Sequence, residues 1–190
     1  MNTLQFRLLD INDIYDPLFN DGFAWSRVYE YPLVLKVLKD LGANQESLIH
    51  NSSWGWDDVH IRFKLSLDNL YPNTIHSDVR ESNLPKTFLY DITKAPTREL
   101  EQKFDFVINI STVEEVNFNH ATIISNLLSQ VKDGGYLIIT FDFPGLDVNL
   151  VSNYLNSHIT ISPNPLTGRS SKLQNLRYEH LSCGLLVIKK

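Results

Sequence analysis

Several carboxylates in this chain stand just beyond apolar runs, where a folded sheet would present them along one edge. Asp78 follows Thr74-Ile75-His76-Ser77, and Asp91 follows Thr87-Phe88-Leu89-Tyr90. Glu114 and Glu115 follow the run from Phe104 to Ser111, and Asp142 follows Tyr136-Leu137-Ile138-Ile139-Thr140-Phe141. An anionic acceptor in such a place suits the paired hydroxyl donors of a ribose, and a carboxylate there can also serve as a general base. Adjacent Glu114 and Glu115 would resist joint ionisation, which raises one of the two pKa values. His120 lies about one helical turn further on and can reach the same rim. Each residue also has a structural reading. Asp78 can cap the turn before Arg80 and Glu81, and Asp91 can serve the turn that ends its strand. The two glutamates can open a solvated helix, and His120 can be a capping residue.

The elements that must position these groups follow from hydrophobic spacing. Phe104-Asp105-Phe106-Val107-Ile108-Asn109-Ile110 and Tyr136–Phe141 are near-continuous apolar runs, and such strands belong to a sheet covered on both faces. Between them, Ile123, Ile124, Leu127, Leu128 and Val131 recur at helical spacing over residues 119–131, and Asp133-Gly134-Gly135 reads as a turn. Upstream, residues 25–41 read as a helix with Val28, Tyr31, Val34, Leu35 and Leu38 on one face and Gly42 as its stop. Pro32 inside it predicts a kink or a junction of two helices. Ser47–Asn51 reads as a strand, and a helix begins at Asp57-Asp58 with Val59, Phe63, Leu67 and Leu70 on its apolar face. Residues 146–155 read as a helix, 159–162 as a strand, 163–171 as a turn-rich loop and 185–188 as a last strand. Alternation of this kind predicts a mainly parallel sheet, whose ligands sit beyond the carboxyl ends of the strands.

The totals narrow the class. A chain of 190 residues with 43% hydrophobic and 21% charged residues fits one ordinary globular domain with a proper core. A net charge of −5 argues against nucleic-acid binding, which usually shows a basic face. No apolar run approaches the ~20 residues that span a bilayer, and residues 1–10 lack the blocks of a signal peptide, so cytoplasm is the expected compartment. Cys183 is the single cysteine, which excludes an internal disulfide and any multi-cysteine metal site. His50, His60 and His76 show no metal-ligand spacing, and no metal is expected. Residues 1–24, which mix apolar and acidic residues without clear period, are expected to be an extension or lid on a domain spanning 25–190.

At this point residues 30–190 resemble a class I S-adenosylmethionine-dependent methyltransferase. The run Phe104-Asp-Phe-Val-Ile-Asn-Ile-Ser-Thr-Val-Glu-Glu-Val resembles the family's fourth strand. Leu128-Ser-Gln-Val-Lys-Asp-Gly-Gly-Tyr-Leu-Ile-Ile-Thr resembles the fifth, and Tyr90-Asp91-Ile92 the acidic end of the third. The resemblance implies a Rossmann-like three-layer α/β/α fold with a sheet of about seven strands. It implies S-adenosyl-L-methionine as cofactor, held by Asn51, Ser53, Gly55, Asp78, Asp91, Ile92, Ile110 and Ser111, with Glu114, Glu115 and His120 as the catalytic candidates. The departure lies in the first loop, which the family makes Gly-rich so that backbone can approach the cofactor. Here it reads His50-Asn51-Ser52-Ser53-Trp54-Gly55-Trp56, where only Gly55 remains. Trp54 and Trp56 can stack on a planar ring or fill the pocket as core residues. Arg27, in a cluster with Trp25, Tyr29 and Glu30, can bind a carboxylate or phosphate or form an ordinary salt bridge.

The expected activity is methyl transfer to a small molecule or glycan hydroxyl. Ser111-Thr112-Val113-Glu114 stands where an amino-directed DNA enzyme would carry Asn/Asp-Pro-Pro-Tyr/Phe. A non-catalytic methyltransferase-like domain with a binding or scaffold role is the alternative, favoured by the altered loop. A dinucleotide binder would show a Gly-x-Gly-x-x-Gly turn, and the chain has none.

Overall fold

A computed structural model describes residues 2–9, 13–20, 26–55, 58–156, 158–161 and 182–190. Trp25, Trp56, Asp57 and the loop expected at 163–171 lie outside the described residues. In chain order the main elements are β1 (Thr3–Leu8), α1 (Arg27–Asp40), β2 (Ile49–Ser52), α2 (Asp58–Leu70), β3 (Thr74–Asp78), β4 (Thr87–Leu89), β5 (Phe104–Ile110), α3 (His120–Ser129), β6 (Val131–Phe143), α4 (Val148–Tyr154), β7 (His158–Ile161) and β8 (Ser182–Lys189). The strands form one sheet in the order β4-β3-β2-β5-β6-β8-β1-β7. Every pairing is parallel except those of β8, which runs antiparallel to both β6 and β1.

Among the described residues the sheet therefore has eight strands where about seven were expected, and the additional one is β1. Thr3–Leu8 is a strand within the sheet rather than an extension or lid. Leu4 and Phe6 alternate into the core at 0% and 3% exposure, a period of two that the sequence carries at Leu4, Phe6 and Leu8.

Two cores lie on opposite faces of the sheet, as a three-layer fold requires. On one side, Val28, Tyr31, Val34 and Leu38 of α1 and Val59, Phe63 and Leu67 of α2 pack on Phe106, Ile108, Ile110 and Ile138. On the other, Ile123, Ile124, Leu127 and Leu128 of α3 and Val148 and Val151 of α4 pack on Val107, Leu137, Ile139 and Phe141. Val107, Ile108, Leu137 and Ile138 are wholly buried at the centre. Strand alternation sends neighbours to opposite layers. Phe104 and Phe106 share parity yet lie on opposite faces, because the register against β6 shifts between them.

Local chemistry accounts for the element ends. Asn119 caps α3 by accepting the Thr122 N–H at 2.9 Å, and Asp147 caps α4 through the Leu150 N–H at 3.0 Å, side-chain acceptors taking orphan helix donors. Gly135 packs so closely that a Cβ there would lie 2.6 Å from the Asp105 carbonyl oxygen. Pro32 neither divides α1 nor ends it. Lacking an N–H, it leaves the carbonyl four residues back, that of Val28, without its helical donor. The Asp16 N–H takes that place at 2.9 Å, so the proline docks the segment that precedes the helix.

Candidate ligand site

A cavity of about 580 Å³ opens beyond the carboxyl ends of β2, β3 and β5, within the range of small-ligand sites. The strand order creates it. β2 pairs with β3 on one side and β5 on the other, so the chain leaves β2 for α2 on one face and β5 for α3 on the other. The crevice forms at this switch point.

Asp78, at the last position of β3, lines the cavity and ties two loops together. Its Oδ2 accepts the Gly55 N–H at 3.3 Å and its Oδ1 the Arg80 N–H at 3.1 Å, so it caps the turn before Arg80 while lining the cavity. Asp91 lines the same wall. Its Oδ1 accepts the Thr93 N–H at 2.9 Å and hydroxyl at 2.7 Å, and these bonds hold its pKa below the usual range. Ile92 and Ile110 give the cavity apolar surface.

The first loop contributes Ser53 and Gly55, both in the left-handed region at φ 57° and 83°. A side chain at Gly55 would be strained at this φ and would have to displace the His60 ring, 2.4 Å from where a Cβ would stand, and that ring itself lines the cavity. Trp54 is 4% exposed and is not among the lining residues. Asn51 is likewise absent from the lining. Its side chain lies within the sheet, 2% exposed, where Nδ2 donates to His76 Nδ1 at 3.1 Å. Beside it, His50 Nδ1 donates to Gln130 Oε1 and Nε2 accepts from the Ser77 hydroxyl, each at 2.7 Å. Burial pushes His50 down to about 3 and His76 to about 4, so both rings are neutral structural groups.

At the end of β5, Ser111 turns into the left-handed region at φ 40°, a conformation that costs a non-glycine residue about 1–3 kcal/mol. Two bonds hold it there. Its N–H donates to the Thr140 carbonyl at 2.9 Å, and its hydroxyl donates to Glu30. Glu30 is wholly buried and also accepts from the Ser26 hydroxyl at 2.7 Å and from Arg27. Burial opposes its charge, but the Arg27 guanidinium and the Ser111 hydroxyl outweigh it and hold the carboxyl below its ordinary range. Arg27 does form a salt bridge, and it also lines the cavity. The sequence signal for this arrangement is Arg-x-x-Glu set among the apolar and aromatic residues of α1.

The catalytic candidates separate. Glu115 is exposed and lines the cavity. Glu114 turns away: its Oε1 accepts the Asp142 N–H at 2.7 Å, and its Oε2 is buried without a hydrogen bond among the described residues. Burial pushes Glu114 up to about 8 and Asp142 up to about 6. His120 opens α3, and neither it nor Glu114 is among the lining residues. The structure thus gathers Ser53, Gly55, Asp78, Asp91, Ile92, Ile110, Ser111 and Glu115 around one space. Among the described residues no cluster of histidine, cysteine or acidic side chains has the form of a metal site, and no helix is long and apolar enough to cross a membrane.

No protein-family model and no curated protein matches the sequence. Solved structures do. The citrinin polyketide synthase CMeT domain shares 15% identity at a TM-score of 0.54, over 89% of this chain and 55% of that one. The trans-methyltransferase CalH, solved in complex with SAH, shares 12% at 0.53, over 84% and 55%. The MccD protein shares 14% at 0.53, over 85% and 97%. This chain has a methyltransferase-like fold. At such identities the likeness is one of fold alone, and the chain spans about half the length of the first structures it matches.

Proposed function

We propose that the cavity binds S-adenosyl-L-methionine and that the chain transfers its methyl group to a small-molecule or glycan hydroxyl. One observation carries the reading: Asp78 and Asp91, at the ends of successive parallel strands, face a single cavity that also receives the backbone of Gly55. The residues fit that ligand in kind. Asp91 Oδ2 accepts from no described residue and can take a ribose or adenine donor, and Ile92 and Ile110 offer apolar surface to a planar ring. When bound, the cofactor supplies a methyl on a positively charged sulfur, and three lining carboxylates, Asp78, Asp91 and Glu115, suit that charge.

The chain's own contribution is chiefly orientation, which dominates a displacement of this type. Ser111 commits its proton to Glu30, so its oxygen offers the cavity only lone pairs, which can fix an acceptor O–H. Glu115 can take the proton that leaves the acceptor. Calorimetric titration with S-adenosylhomocysteine tests the reading. Micromolar affinity followed by methyl transfer in an acceptor screen is the expected result, and a silent titration would refute it. A non-catalytic role remains as the second reading, favoured by the covered first loop, where the Trp54 indole is buried and the His60 ring rests on Gly55.

A further inference from the structure

We propose that Glu30 is a positioning residue that sets what the end of β5 recognises: the methyl acceptor must present a neutral O–H to Ser111. The proposal deepens the function given above and rests on it for the acceptor's role. A serine hydroxyl has one proton and two lone pairs. At Ser111 the proton is committed to Glu30, a wholly buried, ionised carboxylate that can only accept. Glu30 cannot turn away, because the Ser26 hydroxyl at 2.7 Å and Arg27 hold its other oxygen. Ser111 lines the cavity and is fixed in its left-handed conformation by the Thr140 carbonyl. The oxygen it offers a ligand therefore carries lone pairs alone. The next residue repeats the arrangement: Thr112 also lines the cavity, and its hydroxyl donates to the Ile110 carbonyl at 3.0 Å. Two successive hydroxyls at this strand end have turned their protons inward, leaving a stretch of wall whose side chains accept and do not donate.

The charges around the cavity decide which donor fits there. Asp78, Asp91 and Glu115 line it and only accept, while Arg27 and Arg80 line it and only donate. Asp142 adds negative charge near the Arg27 guanidinium, and the His60 ring covers Gly55. Arg27 and Ser111 share Glu30 as partner, so a cation resting on the Ser111 oxygen would lie beside a guanidinium. An ammonium group is better placed against Asp78, Asp91 or Glu115. A ketone or carboxylate oxygen at Ser111 would set lone pair against lone pair and leave both acceptors unpaired. A neutral hydroxyl avoids both faults.

Cyclohexanol and cyclohexanone share a six-membered ring and differ in whether the oxygen can donate. Their affinities are measured by NMR titration, followed at the Ser111 and Thr112 amides, with and without saturating S-adenosylhomocysteine. The proteins are the parent, Ser111→Ala and Glu30→Gln. The parent is expected to prefer the alcohol about 3- to 10-fold, the range of one hydrogen bond, and Ser111→Ala to lose that preference. In Glu30→Gln the amide can donate to the Ser111 oxygen and release its proton to the cavity, so the preference falls or passes to the ketone. A purely structural role for Glu30 would weaken both probes alike and leave their ratio unchanged. The double variant Arg27→Gln with Glu30→Gln, which strands no charge, takes the place of Glu30→Gln should that variant not fold. Equal affinities in the parent, no binding of the alcohol, or an unchanged ratio in the variants overturns the proposal. So does competition between cyclohexanol and S-adenosylhomocysteine, which would give the Ser111 oxygen to the cofactor. Should S-adenosylhomocysteine not bind at all, the cofactor reading fails, while the ratio still decides the role of Glu30.

Discussion

Glu114 provides the sharpest test of the electrostatics at the end of β5. Its carboxyl is pushed up to about 8 from an ordinary 4.5, chiefly by burial, and its Oε2 has no hydrogen-bond partner among the described residues. The folded protein therefore holds a proton there between pH 4.5 and 8 that the unfolded chain has released. With more protons bound to the native state, stability falls as pH rises through that window. At about 1.4 kcal/mol per pH unit, the loss reaches ~3 kcal/mol at pH 7 and ~4 kcal/mol at pH 8, where the folded carboxyl is half ionised. Glu114→Gln keeps an oxygen to accept the Asp142 N–H and cannot ionise. Relative to the parent, the variant should gain about 3–5 kcal/mol between pH 4.5 and 8, whatever its offset at the acid end. Equilibrium unfolding by urea at stepped pH measures the difference, and contributions of other groups cancel in it. Parallel stability curves for the two proteins would refute the assignment of a buried, protonated Glu114.

Three further outcomes are expected. His50 and His76 stay neutral in the fold but protonate near 6.5 when unfolded, so stability falls as pH drops from 6.5 to about 4, by up to ~1.4 kcal/mol per unit for each ring. A Glu114→Gln, Asp142→Asn background removes the two raised carboxyls whose slopes run the other way, and a flat acid limb there would contradict it. Asp91→Ala should weaken S-adenosylhomocysteine binding by about 1–3 kcal/mol, with Asp91→Asn as the control that preserves the turn to Thr93; unchanged affinity in a folded variant removes Asp91 from the site. Trp54→Ala should destabilise the protein by ~3–5 kcal/mol, as truncation of a large buried aromatic does, and chemical unfolding showing a change below ~1 kcal/mol would mean that the indole is not a packing element.

The parts of the fold legible in the sequence are those whose burial leaves no alternative reading. The near-continuous apolar runs Phe104–Ile110 and Tyr136–Phe141, short and rich in β-branched and aromatic residues, read as strands covered on both faces, and α3 between them shows its helical spacing directly. β1 was missed because three apolar residues in six make a weak period, and its neighbours, β7 and β8, are distant in sequence. Pro32 misled for a different reason: its cost to the helix is cancelled by a tertiary donor, Asp16, which no local pattern reveals. In the site, strand-end carboxylates were readable because the sheet's direction sets which ends converge. Glu114 and Glu115 parted because a short 3-10 turn, Val113–Glu115, sends adjacent side chains in different directions. The Arg27, Glu30 and Ser111 arrangement spans residues 81 apart, and only the packing of α1 over the end of β5 brings it together.

The place of β1 bears on how the molecule is made. Its two neighbours are β8, with Thr3 opposite Lys189, and β7, with Thr3 opposite His158. During synthesis β1 must wait, with Leu4 and Phe6 uncovered, until β7 and β8 have been made. Pairings between such distant segments carry a large loop-closure cost and form late. The sheet from β4 to β6 can assemble while β7 and β8 are still to be made, whereas the part beyond β6 needs β8 to bridge β6 and β1. A ribosome stalled before residue 158 would hold a nascent chain with the β4–β6 part of the sheet and an apolar strand lacking both its neighbours, the kind of surface that invites chaperone capture.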